Sequence, residues 1–224
     1  MNISKLSVTN ILITINIALY LLCAISSGNF VDIDLETLLD FGAMNGLLVV
    51  AKEQWYRVFS AMFLHGGAMH IAMNMISLYI VGRVVEMYFG KVAYIVLYIT
   101  TGLFGAMVSL YIHTNSVGMG ASGAIFGIFG AMIGFFVAHK EHLGPKGKEI
   151  FKKFGTILAL NLFLGLSISS IDMSAHIGGL VMGLVGGFVI AKNPKALWIY
   201  TASSLVLLYL FVGLLQSHYV QIYM

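Results

Sequence analysis

Seven stretches of this chain are apolar over close to the 20 residues that a bilayer-spanning helix needs. They run approximately over residues 8–27, 58–81, 92–112, 120–138, 154–170, 175–191 and 196–215. In hydrocarbon, each backbone N–H and C=O must be bonded inside the structure, and segments of this length satisfy that as helices. The pattern predicts an all-α fold, a polytopic membrane helix bundle. Only 9% of the residues are charged, against about 25% in an ordinary globular domain, which excludes a soluble enzyme. The first stretch is too long for a signal-peptide core and lacks a small-x-small cleavage site followed by a soluble domain, so it is expected to be retained. Cys23, the single cysteine, has no partner for an internal disulfide and reads as a small buried hydrophobe.

Lys and Arg set the expected orientation. With the N-terminus in the cytoplasm, Lys5, Arg83, Lys91, Lys140, Lys146, Lys148, Lys152, Lys153, Lys192 and Lys195 fall inside, and only Lys52 and Arg57 fall outside. That is the positive-inside distribution. It places the C-terminus outside the cytoplasm. The first external connection, about residues 28–57, begins acidic and ends on Trp55-Tyr56-Arg57, a composition suited to the interface. The basic stretch 140–153, with Pro145 and Gly147, reads as a solvated connection near anionic headgroups rather than a nucleic-acid site.

Two of the apolar stretches carry stripes of small residues. In one, Gly120, Gly123, Gly127, Gly130 and Gly134 recur at intervals of three and four. In another, Ala175, Gly179, Gly183, Gly187 and Ala191 recur every four. Such faces let helices approach closely in lipid. Ser122 sits beside Gly123, and His176 beside Ala175. The orientation puts both near the outer end of their helices at comparable depth. Polar groups in a membrane are expensive and mark function by default. A packing serine bonded to the carbonyl four residues back is the simpler reading of Ser122 alone. The pair with His176 points beyond that.

A third stretch adds His65, His70 and Asn74, the last two on one helix face. A histidine can take the proton of a serine hydroxyl near neutral pH. Attack on a carbonyl then needs donors aimed at the oxyanion, a role open to His70, Asn74 and the Ser122 backbone N–H. These are the parts of an acyl-transfer site. A metal site made from the histidines and methionines is disfavoured, because no cysteine or carboxylate stands at ligand spacing. Asp172, four residues before His176, reads as a helix cap rather than a triad acid.

Three separated motifs resemble the rhomboid family of intramembrane serine proteases. They are Trp55-Tyr56-Arg57 with His65-x₄-His70-x₃-Asn74, Gly120-Ala121-Ser122-Gly123, and Ala175-His176-x₂-Gly179-x₃-Gly183. The resemblance implies a Ser122–His176 dyad without a third acid, and an oxyanion hole of His70, Asn74 and the Ser122 N–H. It makes His65 structural or part of the water-access region, and gives Trp55 and Arg57 the holding of the first loop. It implies that Gly179 and Gly183 let their helix pack on that of Gly120 and Gly123, and that Phe126 packs against His176. It also implies a single domain over 1–224, with a six-helix core at about 8–191 and one further C-terminal helix at about 196–215. The expected partners are transmembrane protein substrates and the lipid bilayer, with neither metal nor organic cofactor. A non-catalytic client-binding relative would need neither Ser122 nor His176, and a transporter or channel would want ionisable groups at mid-membrane. The short N-terminus carries no organelle signal, favouring a bacterial cell membrane.

Overall fold

The computed structural model describes residues 7–167 and 172–223. Lys5 and the end of the stretch expected at 154–170 lie outside them. Helix α1 (Val8–Ser27) opens at Ser7, whose hydroxyl accepts from the Asn10 N–H, and closes at Gly28 with φ +69°. Its first turn also receives a carboxylate from far along the chain. Glu86 accepts from Ser7 Oγ at 2.7 Å, from the N–H groups of Val8 (2.8 Å) and Thr9 (3.1 Å), and from Thr9 Oγ1 (3.0 Å). A negative charge on the free N–H groups at a helix start is favourable. Glu86→Ala is therefore expected to lower stability by about 1–2 kcal/mol, read as an earlier unfolding midpoint in mild detergent. An unchanged midpoint would dismiss the tie.

The connection after α1 is folded. Asp34 caps α2 (Leu35–Asp40): its Oδ1 accepts the Thr37 N–H at 2.8 Å. That backbone bond, with those from the Ser27 and Thr37 hydroxyls, holds its carboxyl down at about 2. Strand β1 (Met44–Asn45), a π-helical turn (Leu47–Ala51), α3 (Tyr56–Ser60) and a 3-10 turn (Ala61–Phe63) follow. β1 pairs antiparallel with β2 (Val117–Gly118), Met44 opposite Gly118.

Helix α4 (Ala68–Ile112) is two arms, 68–89 and 91–112, broken at Gly90 with φ +75°. The arms fold back on each other: a Cβ on Gly82 would stand 2.4 Å from Tyr94 Oη. The stretch expected at 58–81 is thus corrected at its start, since the helix begins only at Ala68. Residues 66–68 spend their backbone groups on the first loop instead. Ile33 N–H donates to Gly66 O and Ala68 N–H to Val31 O, both at 2.9 Å.

Helices α5 (Ser122–Ala138), α6 (Pro145–Ser167), α7 (Met173–Lys192) and α8 (Leu197–Tyr223) complete the chain. Two further expectations change. The basic stretch 140–153 is helical from Pro145 onward, because proline in a first turn gives up only an N–H that has no helical partner there. The C-terminal helix, expected to end near 215, continues to Tyr223, where Tyr219 and Tyr223 find hydrogen-bond partners after the apolar run has ended. Helices α1, α4, α7 and the segment Pro194–Tyr223 are long and apolar enough to cross a membrane, and α5 is a shorter apolar helix. The protein is a multi-pass membrane helix bundle.

The bundle centre is a backbone-to-backbone contact of α5 with α7. A Cβ on Gly179 would lie 2.1 Å from Gly123 O, one on Gly183 1.8 Å from Gly127 O, and one on Gly187 2.1 Å from Ala131 O. The second arm of α4 closes the same contact, where Gly105 faces Ala175 O (2.5 Å from a Cβ). The small-residue faces therefore meet, and at Gly179, Gly183 and Gly187 no side chain fits between the helices.

Candidate active site

The site lies at the end of the bundle where α5 and α7 begin. Gly120 leads into it with φ +121°, a conformation suited to glycine, and its N–H donates to Ala61 O at 2.8 Å. This corrects its expected place on the packing face: Gly120 precedes α5 and turns the chain toward Ser122. The point a Cβ would take on Gly120 is 2.8 Å from His70 Nε2 and 3.8 Å from Ser122 Oγ. His70, from the first turn of α4, and Ser122, from the first residue of α5, thus flank the same point. A larger residue at 120 would fill it.

His176, in the first turn of α7, is buried, and its ring stacks on Phe126 with centroids 4.2 Å apart and planes 8° apart. Phe126 is one turn along α5 from Ser122, on the same face. The stack therefore holds the imidazole against the face of α5 that Ser122 shares. His176 Nδ1 is buried and has no hydrogen-bond partner among the described residues. No hydrogen bond joins Ser122 Oγ to the ring in this structure. Such bonds are often long without substrate and tighten when it binds.

Asn74 is buried one turn after His70, its amide donating to the His70 carbonyl at 3.2 Å. His65 is fully buried, its ring edge against His70 at 4.9 Å, with both ring nitrogens unpartnered among the described residues. Orphaned buried nitrogens of this kind are normally met by ordered water.

Arg57 stands away from this cluster and anchors the first loop. Its guanidinium donates to the carbonyls of Leu39 (2.5 Å) and Ala43 (3.0 Å), and its Nε to Gln54 Oε1 (2.6 Å). Trp55 packs with the buried cluster of Val49, Val50 and Val58.

Asp172 caps α7. Oδ1 accepts the N–H of Ser174 (2.9 Å) and of Ala175 (3.3 Å), with the Ser174 hydroxyl close against it. Burial pushes its carboxyl up, but the hydroxyls of Ser109 and Ser174, the Ala175 N–H and His113 outweigh that and hold it below the usual range. His113 Nε2 is 3.6 Å away. Sequence reasoning placed this cap correctly. It missed Ala61, whose carbonyl holds Gly120, since nothing in a carbonyl's own residue type signals that task. Among the described residues, no group of three His, Cys, Asp or Glu is placed to hold a metal ion.

A serine at a helix start, an imidazole stacked on the phenylalanine one turn along, one buried and one half-buried histidine and a buried asparagine at the same end define a membrane helix bundle with a polar site built into one end. Residues 52–193 match the model of the Rhomboid domain, and the chain belongs to the rhomboid family. It is 34% identical over 199 residues, 86% of its length, to the rhomboid protease GluP of Bacillus subtilis (strain 168), covering 36% of that protein. It is 36% identical over 163 residues, 72% of its length, to RHOMBOID-like protein 5 of Arabidopsis thaliana, covering 52% of it. The chain thus spans from about a third to about half of the length of these curated relatives.

Proposed function

We propose that the protein is an intramembrane serine endopeptidase that hydrolyses peptide bonds in or near transmembrane segments of membrane-protein substrates. The observation that supports this is that Ser122 and His70 flank the Gly120 position, while His176 stacks on Phe126, one turn along the same helix from Ser122. The Bacillus relative's name, a rhomboid protease, supports the same reading.

In this mechanism His176 takes the Ser122 proton as Oγ attacks the scissile carbonyl. The oxyanion is held by His70, Asn74 and the N–H of Ser122 at the start of α5, where the helix dipole adds to the stabilisation. The imidazolium then gives its proton to the leaving amine, and a water deprotonated by His176 hydrolyses the acyl-enzyme. The free Nδ1 of His176 supports a dyad with no third acid, and Asp172 is committed to capping α7. The first loop is held for this site by Arg57 and Trp55, and His65 lines its buried rim.

The lysine and arginine distribution supports an orientation with the N-terminus cytoplasmic and Ser122 toward the outer face of a bacterial cell membrane. A substrate helix hides its carbonyls in its own hydrogen bonds, so segments weakened by glycine near their outer end are the expected substrates. We read 1–224 as one domain, a six-helix core followed by α8. The test is labelling by a serine-reactive fluorophosphonate in detergent. Label on Ser122 that disappears in His176→Ala is expected. Equal labelling of parent and His176→Ala would overturn the dyad, and label retained in Ser122→Ala would overturn the nucleophile.

A further inference from the structure

We propose that α8 is a latch on the Ser122 end of the bundle, and that its Tyr219 is a positioning residue for the nucleophile. This rests on Ser122 being the nucleophile.

Most of α8 faces outward. The residues it buries are Leu197, Tyr200, Ser204, Leu208, Leu215 and Tyr219, a narrow stripe along one face. Two hydroxyls on that stripe tie it to α4, one at each end. At the far end from Ser122, Tyr200 Oη meets Thr100 Oγ1 at 3.0 Å. At the Ser122 end, Tyr219 Oη donates to Leu110 O (3.0 Å) and Thr114 O (3.2 Å). Leu110 O lies in the last turn of α4 and Thr114 O just beyond its end, where carbonyls lack a helical N–H. Tyr219 is only 4% exposed and its bond to Leu110 O is buried, so a hydroxyl lost there leaves that carbonyl unmet rather than hydrated.

The bond also reaches the first loop. A Cβ on Gly46 would lie 1.8 Å from Tyr219 Oη and 2.2 Å from Thr114 O, so the loop crosses directly over the latch. Around it, Tyr223 Oη meets Thr114 Oγ1 (3.3 Å) and Asn115 Oδ1, and the His218 ring stacks on Tyr111 at 4.3 Å.

What the latch holds leads straight to the nucleophile. The chain from Thr114 runs into β2 at Val117–Gly118, paired with Met44–Asn45 of the first loop. Two residues further, Gly120 is fixed to Ala61 and packed against His70; Ser122 follows. Tyr219 thus fixes the start of a short path whose end is Oγ. A reactive atom displaced by about 1 Å loses rate on the order of 10²-fold, so a shift transmitted in part is visible in turnover.

The full chain in detergent tests this with Tyr219→Phe, which keeps the ring and removes only the hydroxyl. Tyr200→Phe makes the same chemical change at the other end of α8. For Tyr219→Phe, kcat on a single-span substrate and the fluorophosphonate labelling rate of Ser122 should fall together by about 10-fold, with KM unchanged. Tyr200→Phe should lower the unfolding temperature without slowing labelling of the folded protein. Parent-like labelling of Tyr219→Phe overturns the latch, as does an equal slowing by Tyr200→Phe, which would mark the effect as general loosening. If Ser122 of the parent takes no label, the nucleophile reading fails and the latch falls with it. If the parent is labelled and Tyr219→Phe matches it, the latch alone fails.

Discussion

Gly183→Ala is expected to be among the most destabilising single-methyl changes this chain can suffer. The added carbon would stand 1.8 Å from Gly127 O and 2.6 Å from Gly127 C. Both are backbone atoms within α5, so no side chain can swing aside. Relief requires α7 to move off α5, which opens the neighbouring contacts of Gly179 with Gly123 and of Gly187 with Ala131. In lipid no hydrophobic force draws the helices back together, because tails are as apolar as side chains. Overpacking a core costs about 1–3 kcal/mol, and this position falls at or above the top of that range. Gly213→Ala on α8 is the matched control, since nothing lies within 4 Å of a Cβ there. It is expected to be neutral or to stabilise by up to about 1 kcal/mol through helix propensity. Unfolding of both variants in mild detergent, by heat or by added SDS, gives the comparison. Equal midpoints would overturn the close backbone contact of α5 with α7.

The second large effect is kinetic. On the proposed mechanism, Ser122→Ala removes the atom that forms the acyl bond, and His176→Ala removes the base together with the ring stacked on Phe126. Each is expected to lower cleavage of a single-span substrate in liposomes by about 10³-fold or more. Because the two act as one unit, the double variant should be no slower than either single. Stability should separate them. Ser122 is only half-buried and its hydroxyl makes no hydrogen bond among the described residues, so its alanine variant should unfold with the parent. His176→Ala opens a space under Phe126 and should unfold earlier. Cleavage surviving in Ser122→Ala at a tenth of the parental rate, measured by gel shift of the substrate, would remove the serine from the chemistry.

The helical class and the meeting of α5 with α7 were legible in the sequence for one reason. Hydropathy and small-residue spacing are periodic, and a period of about 3.6 names a face without knowing what opposes it. Ser122, His176 and the glycines at 179 and 183 could be placed on that basis, whereas the packing of Phe126 on His176 followed from the resemblance to the rhomboid family. Gly120 could not. It shares the stripe's spacing by coincidence, and only its positive φ reveals a turn. The start of α4 escaped in the same way. Val58 to Phe63 is as apolar as a span, but Gly66 and Ala68 give backbone groups to residues 31–33, a pairing set by distance along the chain that no local period records. Glu86 was visible only as a charge on the basic side. Its four donors at the start of α1 come from nearly 80 residues away.

The break in α4 has one more consequence. Gly90 reverses the chain in a single exposed residue, with φ +75° and nothing within 4 Å of where a Cβ would be. No slack peptide is left between the arms, so a protease has nothing there to grip. Nor is there a loop between them that could give when the arms are pulled apart. The two arms are held as one tight hairpin, with Tyr94 Oη of the second against the Gly82 position of the first. Any separation of the arms must be met by the helices themselves, so the fold's central scaffold answers strain as one piece rather than two.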